Sequence, residues 1–182
     1  MTGAFDFGFT LFGFLLSLSL AELFGGFARA LRARDRLRIG WLSPMLALLM
    51  VIDLVSFWVN SWGERADVPL TFPTLLFGAT VAGIYYVAAA LVFPENTNEW
   101  DDLDRHFYRQ KPWVVLAVQA SNLLFIGGEI MIHGNFFNAP VPFIKLGLWV
   151  GTGLALIFAR PRWLNLLLLL FYLQLYWITR VF

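Results

Sequence analysis

Seven polar side chains set inside apolar stretches are where this sequence could do chemistry. Glu22, Asp53 and Glu129 are carboxylates able to bind or relay a proton or a cation. His133 and Lys145 can exchange protons or balance that charge, and Gln119 and Asn122 offer amide groups to line a path. An ionisable group at membrane depth is costly, which makes each a functional candidate.

Depth suggests two groupings. At 1.5 Å per residue, Glu22 lies ~22 Å into the first apolar run, and Asp53 falls near the middle of the second. Glu129 and His133, four apart and so on one helical face, belong with Lys145 near the other end, with Asp53 and Asn60 within reach. Glu22 shares a depth with Gln119 and Asn122. Each has a plainer reading. Glu129, His133 and Lys145 form a solvated rim, Asp53 is a hydrogen-bonded structural acid, and Glu22 is structural or snorkels toward nearby arginines.

The elements that carry these groups are membrane spans. Of 182 residues, 59% are apolar and 14% charged, against roughly 45–50% and about 25% in soluble domains. Mean hydropathy is +0.70, and runs such as Leu164 to Phe171 leave no polar face for water. A span needs about 20 mostly apolar residues. Six segments qualify: 7–31, 41–62, 72–93 (entered through Pro73), 112–133, 141–159 and 163–181. The expected fold is a single all-α domain, a polytopic bundle of six transmembrane helices. The first run lacks the basic lead-in of a secretory signal and is read as a retained span.

Orientation follows from Lys and Arg, which concentrate in cytoplasmic loops. Arg29, Arg32, Arg34, Arg36 and Arg38 occupy the first loop, Arg105, Arg109 and Lys111 the third, and Arg160 and Arg162 the fifth. Ten of the thirteen basic residues thus share one side. Both termini are expected to be extracytoplasmic, in a bacterial inner membrane. The Arg29–Arg38 cluster is expected to touch anionic lipid headgroups. Trp41, Trp62, Trp113, Trp163 and Trp177 sit near span ends, where indoles favour the interface.

In the third loop, Pro94 ends a helix and Thr97 or Asn98 can cap another. Trp100, Leu103, Phe107 and Tyr108 share a face, which predicts a short amphipathic interfacial helix between spans three and four. Asp101, Asp102 and Asp104 superficially resemble an aspartate-rich metal motif, but read more simply as acids at a helix N-terminus. Gly147, Gly151 and Gly153 give the fifth span a close-packing strip. Glu22 before Gly25-Gly26 and Gly127-Gly128 before Glu129 differ in order and form no repeat.

Absences narrow the function. The chain has no cysteine and two histidines, so thiolate metal sites and bis-histidine haem are not expected. No nucleophile elbow, zinc helix or phosphate loop occurs. No metal or cofactor is expected, and no nucleic-acid partner, since the basic residues form no continuous surface. The leading expectation is a non-enzymatic, oligomeric ion channel or proton-coupled carrier using Glu22, Asp53 and Glu129. The alternative is an accessory or scaffold subunit of a larger membrane complex. A lipid-acting enzyme using Asp101, Asp102, Asp104 and His106 ranks third. Expected partners are lipid and either further copies of the chain or other membrane subunits.

Overall fold

The computed structural model describes the backbone of residues 2–63, 71–133 and 140–181, and the side chains of 8–62, 71–131 and 143–176. Six helices follow one another: α1 (Thr2–Arg32), α2 (Leu42–Gly63), α3 (Phe72–Val92), α4 (Leu103–His133), α5 (Pro140–Phe158) and α6 (Arg162–Val181). A 3-10 turn, Thr97–Glu99, precedes α4. No strand occurs among the described residues beyond an isolated bridge pairing Arg38 with Asp102.

Four stretches are long and apolar enough to cross a membrane: Gly8–Arg32, Leu42–Trp62, Phe72–Val92 and Leu103–Met131. The described parts of the last two helices, Phe143–Phe158 and Arg162–Tyr176, are shorter apolar helices. Large apolar side chains stay uncovered along the bundle, with Phe72 77%, Phe158 79% and Met131 89% exposed. Apolar surface on this scale marks contact with something other than water. Trp41, Trp62, Trp113 and Trp163 are also exposed, as expected of side chains at span ends; the side chain of Trp177 lies outside the described residues.

Helix α3 packs against both α1 and α4, α2 against α6, and α5 between α4 and α6, while α2 also touches α1, α3 and α4. Thr71 caps α3 by accepting from the Thr74 amide at 3.4 Å, with Pro73 in the first turn, where a missing N–H does no harm.

The loops richest in arginine meet at one end. Arg38 N donates to Asp101 O at 2.8 Å and Leu103 N to Arg38 O at 3.0 Å, stitching the first loop to the third. Arg162, opening α6, lies 3.1 Å from Asp104 Oδ2. Asp104 Oδ1 also accepts from Leu42 N at 3.4 Å, so a single carboxylate ties together the starts of α2, α4 and α6. Gly40 makes this approach possible: a Cβ there would fall 1.9 Å from Asp104 Oδ1.

The separate interfacial helix does not form. Residues from Leu103 onward belong to one continuous 31-residue helix that runs through Pro112. Its N-cap is Asp102, whose carboxylate accepts from Asp104 N at 2.8 Å, while Asn96 caps the 3-10 turn by accepting from Asn98 N at 3.1 Å. The amphipathic face that suggested a surface helix is covered by protein: Leu103 and Phe107 are buried, and His106 Nε2 sits 3.1 Å from Leu91 O. Pro112 is half-buried within this helix, where it forgoes one backbone hydrogen bond.

Candidate functional site

Asp53 sits at the middle of α2, 2% exposed, on the face where α3, α4 and α6 converge. Its Oδ1 accepts from the Tyr176 hydroxyl at 2.6 Å. Its Oδ2 accepts from Asn122 Nδ2 at 2.9 Å, and the Tyr85 hydroxyl lies 2.8 Å away. One carboxylate thus gathers side chains from three other helices, and α5 joins through Trp149 Nε1, which donates to Tyr176 Oη at 3.2 Å. Every partner shown for Asp53 is neutral. A buried carboxyl with no ion partner is expensive unless its lone pairs are met by donors, and the aromatic hydroxyls and the amide meet them.

Tyr85 has a second neighbour. Its hydroxyl is 3.1 Å from Met50 O as well as 2.8 Å from Asp53 Oδ2. It carries one proton, so it donates to one of the two at a time. Asn122 uses its other N–H on Val118 O at 3.0 Å.

Around this knot the α4 face continues. Gln119 Nε2 donates to Val150 O at 3.1 Å on α5. Gly153 lets Gln119 and the buried Tyr172 ring reach the α5 backbone, since a Cβ there would fall 1.7 Å from Gln119 Nε2 and 3.3 Å from Tyr172 Oη. The void beside Asp53, lined by Met50, Val118, Tyr172 and Tyr176 among others, is only about 10 Å³. One water needs about 10–15 Å³, so there is room for at most one water beside a carboxyl that is itself almost wholly buried.

The other sequence candidates are scattered. Glu22 does not meet Gln119 or Asn122; it takes a 2.6 Å ion pair with Arg29, two turns along the same helix face and part-exposed. Arg29 is therefore engaged within α1, while Arg32, Arg34, Arg36 and Arg38 are exposed. Lys145 is half-buried on α5 and Asn60 exposed on α2, neither beside Asp53 among the described contacts. The side chain of His133 lies outside the described residues. Glu129 lines a different cavity of about 470 Å³ between α1, α2, α3 and α4, at the end away from the arginine-rich loops.

The acidic run before α4 is absorbed by structure: the backbone of Asp101 pairs with Arg38, Asp102 caps the helix and Asp104 holds α2 and α6. Among the described residues no group of three or more His, Asp or Glu is placed to hold a metal. The plain reading of these acids is the one their geometry follows.

Sequence reasoning missed Tyr85, Tyr176 and Trp149. A faint signal existed: each puts a polar tip amid Ala, Leu or Gly at mid-span, and a buried tyrosine hydroxyl or indole N–H usually finds a partner. It also missed Lys111, which is 3% exposed. Its ammonium donates to Ala159 O at the C-terminal end of α5 and to Asn165 Oδ1 at 2.8 Å. A cation there complements the negative end of the helix dipole. The chain matches no family model, no curated protein and no solved structure, so the reading of its site stands on its own residues.

Proposed function

We propose that the chain is a proton-coupled carrier in which Asp53 is the proton-binding group. The observation that carries this reading is the position of the Tyr85 hydroxyl between Asp53 Oδ2 and Met50 O. With Asp53 ionised, Tyr85 donates to the carboxylate. With Asp53 protonated, the acid donates to Tyr85 and the phenol turns its own proton to the Met50 carbonyl. Tyr176 and Asn122 donate in both cases. The cage therefore satisfies either protonation state with no more than a hydroxyl rotation, which is what a group that must load and release a proton requires.

The burial of Asp53 and the small size of the void beside it favour a carrier over an open channel. A carrier occludes its site between openings, whereas a pore needs a continuous wet path. In this reading all six helices span the membrane, with both termini extracytoplasmic and the arginine-rich loops in the cytoplasm of a bacterial cell. Glu22, paired with Arg29, is a structural acid rather than a relay.

Proteoliposomes loaded with a pH-sensitive dye and held under an imposed potential test the assignment. Proton flux is expected in the wild type, unchanged in Glu22→Gln and lost in Asp53→Asn. Equal flux in wild type and Asp53→Asn overturns it.

An accessory or oligomeric role has one observation in its favour. A Cβ at Gly147 or Gly151 would meet nothing within 4 Å, so this stretch of α5 is open to close approach by another helix. Sizing in mild detergent distinguishes the cases: a self-association peak supports a homo-oligomeric carrier, and a stoichiometric foreign subunit supports the accessory reading.

A further inference from the structure

Two phenols reach the Asp53 carboxyl, and they differ in what stands behind them. Tyr85 lies between Asp53 Oδ2 at 2.8 Å and Met50 O at 3.1 Å, two acceptors for one proton. Behind Tyr176 stands a donor instead. An indole can only give its N–H, and Trp149 Nε1 donates to Tyr176 Oη at 3.2 Å while that hydroxyl sits 2.6 Å from Asp53 Oδ1. A phenol oxygen that already accepts from an indole is a poor acceptor for a second hydrogen, so its own proton is committed to the carboxyl. Donation into the hydroxyl also strengthens the bond that the hydroxyl makes in turn.

The chain builds this arm from two neighbouring helices. Trp149 is on α5, and Tyr172 and Tyr176 stand one turn apart on α6. The three rings form a cluster, with the Tyr172 centroid 5.7 Å from Trp149 and 6.3 Å from Tyr176. The height of Trp149 is set through the residue after it, because Gln119 on α4 donates to Val150 O at 3.1 Å. Gly153 leaves room for that amide, since a Cβ there would collide with Gln119 Nε2. Gln119 thus grips the α5 backbone beside the indole.

We infer that Trp149 is a positioning residue: by holding Tyr176 as a donor to Oδ1, it confines the incoming proton to Oδ2. There the new O–H bond forms and points at Tyr85 Oη. The Tyr85 phenol turns its own proton to Met50 O, and the Oδ1 side keeps the bonds it had. Asn122 Nδ2, 2.9 Å from Oδ2, goes on donating to the remaining lone pair of that oxygen. The result is one loading atom with one arrangement of hydrogens, in place of two that interchange. Trp149 touches neither the proton nor the carboxyl and acts through Tyr176. The assignment rests on the reading of Asp53 as the proton-binding group.

Infrared spectra of the full chain in detergent, read for the carboxylic C=O band that Asp53→Asn removes, test this with two variants. Trp149→Phe keeps a ring against Tyr172 and loses the N–H. Trp149→Gln loses the ring and keeps a donor, because the amide nitrogen reaches as far from Cβ as the indole nitrogen does. In the wild type a single band is expected, and Tyr85→Phe should move all of it. In Trp149→Phe a second band is expected, from acid protonated on Oδ1, and adding Tyr85→Phe should leave that second band in place. Trp149→Gln should restore the single band. A further readout leaves Trp149 untouched. With isotope-labelled indole nitrogens, one of the eight tryptophan N–H resonances should move over the pH range in which the band grows, because an ionised Asp53 makes Tyr176 Oη the better acceptor. That movement should vanish in Asp53→Asn. A single unchanged band in Trp149→Phe, a second band in both variants, or indole resonances indifferent to the Asp53 titration each overturns the positioning role alone. A spectrum with no band that Asp53→Asn removes would overturn the proton-binding reading, and the positioning role with it.

Discussion

The Tyr176 hydroxyl reaches Asp53 Oδ1 at 2.6 Å, joining α6 to α2 across 123 positions of sequence. The Tyr176 oxygen also accepts from Trp149 on α5, so this one phenol links the last two helices of the chain to the second. Removing it in Tyr176→Phe leaves a buried carboxyl short of a donor and the indole N–H short of an acceptor. Expected loss of stability is about 1–3 kcal/mol, read as a lower thermal midpoint in detergent. An unchanged midpoint would mean that the bond contributes nothing net.

Titration of Asp53 is directly observable. A carboxylic C=O stretch in infrared difference spectra is expected to grow as pH falls and to be missing in Asp53→Asn. In Tyr85→Phe the band should move, because the acid proton loses the hydroxyl that receives it and Met50 O is no longer relayed. A band identical in both backgrounds would show that Tyr85 does not take part in the exchange.

Lys111 and Asn165 differ in what their removal leaves behind. Lys111→Met keeps an apolar stem in place, and Ala159 O still accepts from Asn165 Nδ2 at 3.1 Å. Asn165→Leu strips a partner from a buried ammonium and also removes its own bond to Pro161 O at 2.8 Å. A buried ammonium left with only the Ala159 carbonyl is the more costly defect. Asn165→Leu should therefore lower the thermal midpoint more than Lys111→Met, each by an amount equivalent to about 1–4 kcal/mol. The opposite order would contradict a charged lysine at that position.

Gly40→Ala is expected to harm the arginine-rich end more than Arg162→Ala does. The new methyl would occupy the space of the Asp104 carboxylate, 1.9 Å from Oδ1, and would push it off both Leu42 N and Arg162. A loss of about 2–3 kcal/mol follows from breaking such a buried knot. Arg162 is 46% exposed in its ion pair, so its removal should cost under about 1 kcal/mol after screening by solvent. Comparable midpoints for the two variants would place the strength of this joint elsewhere.

Topology is testable with single cysteines, since the chain has none of its own. Arg34→Cys and Arg160→Cys are expected to react only with membrane-permeant reagents in intact cells, and Thr71→Cys with impermeant ones as well. Labelling of Arg34→Cys and Arg160→Cys from opposite sides would break the bundle topology outright.

How much was legible varies by kind of property. The six helical runs were readable because lipid solvation acts on each residue separately, and stretches such as Leu42–Gly63 and Phe72–Val92 sum to an unmistakable apolar length. The shared end of the arginine-rich loops was readable for the same additive reason, and the contacts of Arg38 with Asp101 and of Arg162 with Asp104 agree with it. Pro112 misled, because a proline near an apolar boundary looks like a helix start whether or not the preceding turn is buried. Only its packing environment separates the two cases.

By itself the sequence determined that this chain is a set of apolar helices with buried acids and one arginine-rich end, since composition and charge order are properties of the chain alone. Tertiary structure decided that Asn122 serves Asp53 rather than Glu22, that Tyr85 and Tyr176 close the cage, and that Glu129 borders a separate cavity. Those pairings span 32, 69 and 123 residues. They depend on how each helix is rotated against its neighbours, a choice made by the packing of all the helices at once and written in no single segment.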